Sequence, residues 1–165
     1  MTLEQFNLLD REQARDAVRP CADIPRWVDG VVDARPYADV GELLAVAREA
    51  ASPWTIAEID GALAHHPRIG ERARGAHAEA SFSRSEQAGI DPGDTAVAEA
   101  LAAGNRAYEE RFGRVFLIRA ARRTPEEILA ALRSRLTHSP KEEIPVVADQ
   151  LREIAVLRLE GILTS

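Results

Sequence analysis

The sequence has little of several features that would each define a class of protein. It has one cysteine, Cys21, so no internal disulfide can form. No apolar run approaches the ~18 residues that a membrane span needs, and the N-terminus lacks the basic and apolar stretches of a secretory signal. We therefore expect a cytoplasmic protein with no membrane partner. The abundance of alanine and arginine suggests a bacterial source.

The charge balance disfavours nucleic acid as a partner. Lysine and arginine together number 21 against 27 acidic residues, which gives a net charge of -6. No single helix carries a basic face that could follow a phosphate backbone. A helix-turn-helix regulator is therefore the least favoured of the functions open to a helical domain of this size.

The sequence also lacks the motifs of metal and cofactor sites. The four histidines do not have His-Glu-x-x-His spacing, and a single cysteine cannot supply a zinc-binding pair. There is no glycine-rich phosphate loop, no dinucleotide fingerprint and no Gly-x-Ser-x-Gly elbow. If the protein is an enzyme, we expect it to work without a metal or an organic cofactor.

What the sequence does contain predicts an all-α fold. Its 165 residues, 45% apolar and 29% charged, suffice for one compact multi-helix domain over residues 1–165. Apolar residues recur at helical spacing, and no alternating run indicates a strand or a sheet. About eight helices are predicted, at residues 4–18, 24–34, 40–50, 55–65, 84–89, 95–112, 125–137 and 142–163.

Helix starts carry a repeated signal, the capping box, in which Ser or Thr precedes Glu or Gln by three residues. It occurs at Thr2/Gln5, Thr55/Glu58, Ser83/Glu86, Thr124/Glu127 and Ser139/Glu142. Because four other boxes are present, Ser83 and Glu86 taken alone are better explained as a cap than as a site.

Three further positions could bear on function. His66 precedes Pro67 where a helix must stop, and position alone favours a surface histidine there over a catalytic one. Gly113 is predicted to end or kink its helix, so that backbone N–H groups of residues 115–118 can face a pocket. Arg158 interrupts the apolar stripe of the last helix, so it either contacts a buried anion or extends to the surface. Cys21 is more simply a core residue than a nucleophile.

Taken together and in order, several motifs resemble the OHCU decarboxylase family. OHCU is 2-oxo-4-hydroxy-4-carboxy-5-ureidoimidazoline. The motifs are His65-His66-Pro67-Arg68-Ile69-Gly70, Ser83-x-x-Glu86-Gln87-Ala88-Gly89, Asn105-x-x-Tyr108-x-x-Arg111-Phe112-Gly113-x-x-Phe116, Glu126-Glu127-Ile128-Leu129 and Ile154-Ala-Val-Leu157-Arg158-Leu159. Each is weak by itself, but the ordered set covers almost the whole chain.

The resemblance implies an all-α, cofactor-free homodimer that converts OHCU to (S)-allantoin and CO2 in urate breakdown. It implies catalytic roles for three residues, with His66 as acid/base, Glu86 as its partner and Arg158 as the anchor of the substrate carboxylate. It further implies substrate contacts from Pro67, Ser83, Gln87 and the backbone at Ile118.

The chain departs from the family pattern at Arg122, where a glycine is expected, and at His138, where an asparagine is expected. The first departure can reshape the turn after Ala121 and the dimer surface. Two alternatives stay open from the residues. One is an enzyme of the same design acting on another ureido or imidazoline acid. The other is a helical interaction module in which Arg158 pairs with an internal carboxylate.

Overall fold

The structure, a computed structural model, describes residues 1–64, 66–71, 82, 84–90 and 94–164. The prediction of an all-α fold is confirmed, because the described residues form helices and contain no strand. The helices are α1 (Leu3–Leu8), α2 (Arg11–Val18), α3 (Pro25–Asp33), α4 (Val40–Ala50), α5 (Ile56–Leu63), α6 (Thr95–Phe112), α7 (Pro125–Arg135) and α8 (Pro140–Thr164). In the predicted helix 84–89, residues 84–86 are helical.

One predicted helix is wrong, because residues 4–18 form two helices. Helix α1 ends at Leu8. Asp10 then caps α2, because its carboxylate accepts a 2.8 Å hydrogen bond from the backbone N–H of Gln13. Gln13 in turn accepts from the backbone of Asp10, so the pair is a capping box with Asp in place of Ser or Thr. Apolar residues keep their helical spacing across such a break, so periodicity alone does not predict it.

Of the five predicted capping boxes, three form completely, one forms in part and one is not described. The Thr2, Thr55 and Ser139 boxes form in both directions. Thr124 accepts from the backbone N–H of Glu127 at the start of α7. Ser83, and with it the fifth box, lies outside the described residues.

The contacts of the chain cluster into two compact units. The first comprises Met1–Ala62 and Arg152–Ser165, and the second comprises Leu63–Leu151. In the first, Trp27 is fully buried, donates from Nε1 to the carbonyl of Ala47 at 2.9 Å, and lies 6.2 Å from the ring of Trp54. Cys21 is buried in this unit, as expected for a core residue. The organisation as one domain over residues 1–165 stays a prediction.

The core of the second unit forms where α6 packs on α7 and on the segment between them. Its buried members are Ile69, Leu101, Tyr108, Phe116, Ile118, Ala120, Ile128 and Leu132. Helix α6 ends as predicted at Gly113, whose φ of 70° is left-handed and suits a residue without a Cβ.

The turn after Ala121 has a left-handed residue at the position where a glycine is expected. Arg122 has a φ of 64°, and no other non-glycine residue among those described has a positive φ. An arginine in this conformation is strained, because its Cβ approaches the following carbonyl. At this residue the backbone therefore has the conformation that a glycine would adopt without strain.

Close packing of α6 on α7 generates a first prediction, at Gly104. A methyl group added there would overlap Cδ2 of the buried Leu132 and lie 3.1 Å from its Cγ. We expect Gly104→Ala to lower the free energy of unfolding by about 1–3 kcal/mol through overpacking, despite the higher helix propensity of alanine. Urea denaturation followed by far-UV circular dichroism measures this change.

Gly61 on α5 is the matched control, because an added methyl group meets no atom of the described residues within 4 Å. Gly61→Ala should raise the free energy of unfolding by about 0.5–1 kcal/mol. A shift of the same sign and size in both variants would contradict close packing at Gly104.

Candidate active site

The chain leaves α5 just before His66, as its position ahead of Pro67 predicts. Helix α5 ends at Leu63, and the backbone N–H of His66 donates to the carbonyl of Leu63 at 3.1 Å. His66 and Pro67 are both partly buried. Because proline fixes its own φ, the backbone after His66 has little freedom.

The loop that follows, residues 68–70, is held at three successive positions. The guanidinium of Arg68 pairs with Glu109 of α6, with Nε 2.6 Å from Oε1. The carbonyl of Ile69 accepts from the Nδ2 of Asn105, also on α6, at 2.8 Å. The N–H of Gly70, at a left-handed φ of 93°, donates to the Oε1 of Gln87 at 2.9 Å.

Gln87 therefore contacts the loop that begins at His66. Its Oε1 is engaged by Gly70, and no described residue accepts from its Nε2 donor. Glu86, in the helical turn 84–86, is partly buried. The second unit thus brings Gln87 to the His66 loop.

Residues 115–118, whose backbone is predicted to face a pocket, follow the end of α6. We call this segment the wall at Ile118. Residues 115–120 have no regular secondary structure, and Phe116, Leu117 and Ile118 are buried. The carbonyl of Leu117 accepts from the Nη1 of Arg135 at 2.6 Å, and the N–H of Arg119 donates to Gln150 at 2.8 Å. Between these two anchors, the N–H of Ile118 has no acceptor among the described residues.

A buried ion pair supports this wall. Glu143 is fully buried, and its Oε1 accepts from the Nε of Arg135 at 2.6 Å and from the hydroxyl of Tyr108 at 2.8 Å. Its Oε2 lies 2.8 Å from the Nδ1 of His138. Burial, reinforced by the hydrogen bond to Glu143, raises the pKa of the Tyr108 phenol above its usual value. Arg135 also stacks 4.6 Å above the ring of Phe116.

Arg158 lies in the first unit, on α8, and does not extend to the surface. It is 2% exposed, and its Nη1 donates to the carbonyl of Pro20 at 3.3 Å. The alternative of a solvent-exposed guanidinium is therefore wrong. Buried charges interact more strongly than exposed ones, because little water screens them.

A cavity of about 290 Å³ lies between the loop after His66 and α6. It is lined by Arg68, Ile69, Gly70, Glu71, Ala98, Ala102, Asn105, Arg106 and Glu109. None of the predicted site residues that the structure describes lines it. Its charged groups are two arginines and two glutamates, a balance that selects neither anions nor cations.

In the second unit, Ile69 of the His66 loop and Ile118 belong to one apolar core, and Gln87 contacts the loop at Gly70. Sequence reasoning assigned no role to the side chains that hold these segments, Asn105 and Glu109 for the loop and Arg135 and Glu143 for the wall. Among the described residues, no three His, Cys, Asp or Glu side chains are placed to hold a metal ion. No helix in the described part of the chain is long and apolar enough to span a membrane.

The buried pair generates a second prediction. Glu143→Gln should lower the free energy of unfolding by about 3–5 kcal/mol, because it leaves the guanidinium of Arg135 buried without a counter-charge. Urea unfolding followed by far-UV circular dichroism measures the loss.

The matched control is Asp33→Asn, which removes one carboxylate from Arg11 at the surface. Both side chains of that pair are about half exposed, so solvent screens it, and we expect a loss of at most about 1 kcal/mol. Equal stability of the two variants would show that the buried pair contributes no more to the free energy of unfolding than the exposed pair does.

Comparison with known proteins agrees with the sequence motifs. The pattern of the OHCU decarboxylase family matches residues 7–160. A 2-oxo-4-hydroxy-4-carboxy-5-ureidoimidazoline decarboxylase of Haloferax volcanii is 30% identical over 160 residues, covering 96% of this chain and 94% of its own. A protein of the same name from Amia calva is 31% identical over 169 residues, covering 99% of this chain and 95% of its own.

Two solved structures share the fold. A crystal structure of an OHCU decarboxylase in the presence of (S)-allantoin matches with a TM-score of 0.73 at 22% identity, covering 91% of this chain and 99% of that one. A structure of (S)-allantoin synthase matches with a TM-score of 0.71 at 16% identity, covering 99% of this chain and 54% of that one. The family match over nearly the whole chain, together with these relatives, shows that the chain belongs to the OHCU decarboxylase family.

Proposed function

We propose that the protein decarboxylates OHCU to (S)-allantoin and CO2, without a cofactor, as a late step of urate breakdown. The observation that carries this proposal is the family match over residues 7–160, which includes His66, Glu86 and Arg158. Two relatives that align over almost their whole length are named for this reaction. That the enzyme works as a homodimer in the cytoplasm stays a prediction.

The substrate itself can supply the electron sink. The carbon that loses CO2 carries a hydroxyl group and lies next to a ring C=N bond. When the bond to the carboxylate breaks, its electron pair forms a C=C bond between the two ring carbons, and the C=N pair moves to nitrogen. Protonation of that nitrogen, loss of the hydroxyl proton to form the C=O bond, and protonation of the neighbouring carbon then give allantoin. An external electron sink, the usual role of a decarboxylase cofactor, is not required.

The enzyme has two tasks, to orient the carboxylate and to move protons on one face of the ring. We assign the proton transfers to His66, because a histidine side chain can exchange protons near neutral pH. Glu86 fixes the imidazole or binds the ureido N–H groups. Pro67 orients His66, and Ser83 hydrogen-bonds the ring or ureido group, although Ser83 lies outside the described residues.

Two further donors fit the polar edges of the substrate. The Nε2 of Gln87 is available for a substrate oxygen while its Oε1 holds Gly70. The backbone N–H of Ile118 lies in a segment anchored on both sides, so it can donate from a fixed position. Preorganised donors of this kind need little rearrangement when charge develops.

We assign the substrate carboxylate to Arg158. Its burial makes an ion pair with a carboxylate stronger than it would be at the surface. This charge stabilises the ground-state carboxylate more than neutral CO2, so it contributes affinity and orientation rather than acceleration.

The test is a coupled assay in which urate is oxidised and the hydroxyisourate is hydrolysed in place, with circular dichroism following the allantoin formed. Uncatalysed decay protonates both faces of the ring carbon equally, so it gives racemic allantoin and no circular dichroism signal. A rapid (S)-allantoin signal supports the proposal. No signal from folded protein would contradict it and favour another ureido or imidazoline acid, which an NMR substrate panel would identify.

In this assay His66→Ala should lower kcat by about 10²–10⁴-fold, the usual contribution of a general acid/base. Free imidazole added to the variant should restore part of the turnover, an effect that a purely structural role would not produce. Turnover equal to wild type on freshly generated substrate would contradict the role of His66.

Arg158→Ala should raise KM strongly and lower kcat less, because the lost contact is made mainly in the ground state. Arg11→Ala, at an exposed arginine of the same unit, is the matched control and should leave both constants unchanged. A fall in kcat at constant KM would overturn the role of Arg158 as an anchor.

A further inference from the structure

Asn105 is buried on α6, and among the described residues its amide nitrogen has a hydrogen-bond partner while its amide oxygen has none. It is 4% exposed, and its Nδ2 donates to the carbonyl of Ile69 at 2.8 Å. Its Oδ1 is also buried and has no hydrogen-bond partner among the described residues. A buried acceptor without a donor destabilises the fold, because it loses its hydrogen bonds to water and gains none in the protein.

This geometry makes Asn105 a poor choice for stability alone. Its hydrogen bond to Ile69 is offset by the desolvation of its Oδ1, whereas an apolar side chain of similar size would bury no unpaired group. We therefore expect the hydrogen bond from Asn105 to serve another purpose, which is to hold the carbonyl of Ile69 in place.

The carbonyl of Ile69 is three residues along the chain from His66. Pro67 lies between them and fixes one backbone dihedral, so few rotations separate the two positions. The segment over which a displacement of the carbonyl could be absorbed before it reaches His66 is therefore short. The side chain of Ile69 is itself anchored in the core of the second unit.

The same helix also supports the wall at Ile118. Tyr108 follows Asn105 by three residues, so both side chains lie on one side of α6. Its hydroxyl donates to Glu143, which holds Arg135, and Arg135 donates to the carbonyl of Leu117. One helix thus sets the position of both segments.

We propose that Asn105 is a positioning residue, whose hydrogen bond to the carbonyl of Ile69 fixes the backbone that places His66 for proton transfer. The proposal depends on the function assigned above to His66. In this role Asn105 acts through the loop and not on the substrate, so its removal should affect kcat far more than KM.

The experiment uses Asn105→Asp in the full-length protein, because aspartate keeps the size of the side chain and loses the amide donor. When ionised, the new carboxylate faces the carbonyl of Ile69 without a proton to donate. We expect kcat to fall by about 10- to 100-fold, the range that a misplacement of about 1 Å produces, with KM within about twofold of wild type.

A pH profile provides the readout that a structural role would not move. When the introduced carboxyl is protonated it can donate to Ile69 as the amide does. The ratio of variant to wild-type kcat should therefore rise as pH falls, with far-UV circular dichroism unchanged. Asn105→Ala has no such group, so its ratio should stay low at every pH.

Asn7 is the matched control. Its Nδ2 donates to the carbonyl of Tyr37 at 2.9 Å and its Oδ1 accepts from the N–H of Tyr37 at 2.9 Å, in the unit that does not contain His66. Asn7→Asp should lower stability and leave kcat and its pH profile unchanged. Equal loss of kcat in the Asn7 and Asn105 variants, or wild-type kcat in both Asn105 variants, would overturn the proposal.

An NMR measurement separates this inference from the proposed function. The imidazole resonances of His66 should shift in Asn105→Asp and not in Asn7→Asp, whether or not the substrate is OHCU. Wild-type protein without activity on OHCU would refute the function alone, and the imidazole shift would then decide the role of Asn105. Unchanged His66 resonances in Asn105→Asp would refute the positioning role.

Discussion

The interior of the second unit depends on one buried charge pair, Arg135 with Glu143. Each charge offsets the cost of burying the other, because desolvating a lone ion costs several kcal/mol. The pair joins α7 to the first turn of α8, where a carboxylate is also favoured by the helix dipole. Tyr108 adds α6 to the same point. Three helices are thereby fixed at the position from which Arg135 reaches the carbonyl of Leu117.

Buried polar groups hold both segments of the candidate site that lie in this unit. The loop after His66 is bound through Asn105, and the wall at Ile118 is bound through Arg135. In both of these contacts the segment accepts the hydrogen bond through a backbone carbonyl. Such contacts fix where a backbone passes while allowing the side chains on it to vary.

The features that the sequence predicts correctly are those determined by residues close together along the chain. Capping boxes, the end of α6 at Gly113 and the position of Arg158 on an apolar stripe each depend on residues within a turn or two. The break at Asp10 does not follow from a capping-box pattern restricted to Ser and Thr, because here aspartate and glutamine form the box. The partner of Asn105, Ile69, could not be predicted, since it is 36 residues away and contributes only its carbonyl.

Cys21 is the only thiol of the chain and it is fully buried. Thiol reagents attack the exposed thiolate, so the folded protein offers them no target at this residue. A single cysteine introduced at an exposed position, such as Leu8 at 79% exposure, would therefore be the one group that a maleimide dye modifies. The native chain can be labelled at a chosen site, for fluorescence or spin-label distance measurements, without removing a cysteine first.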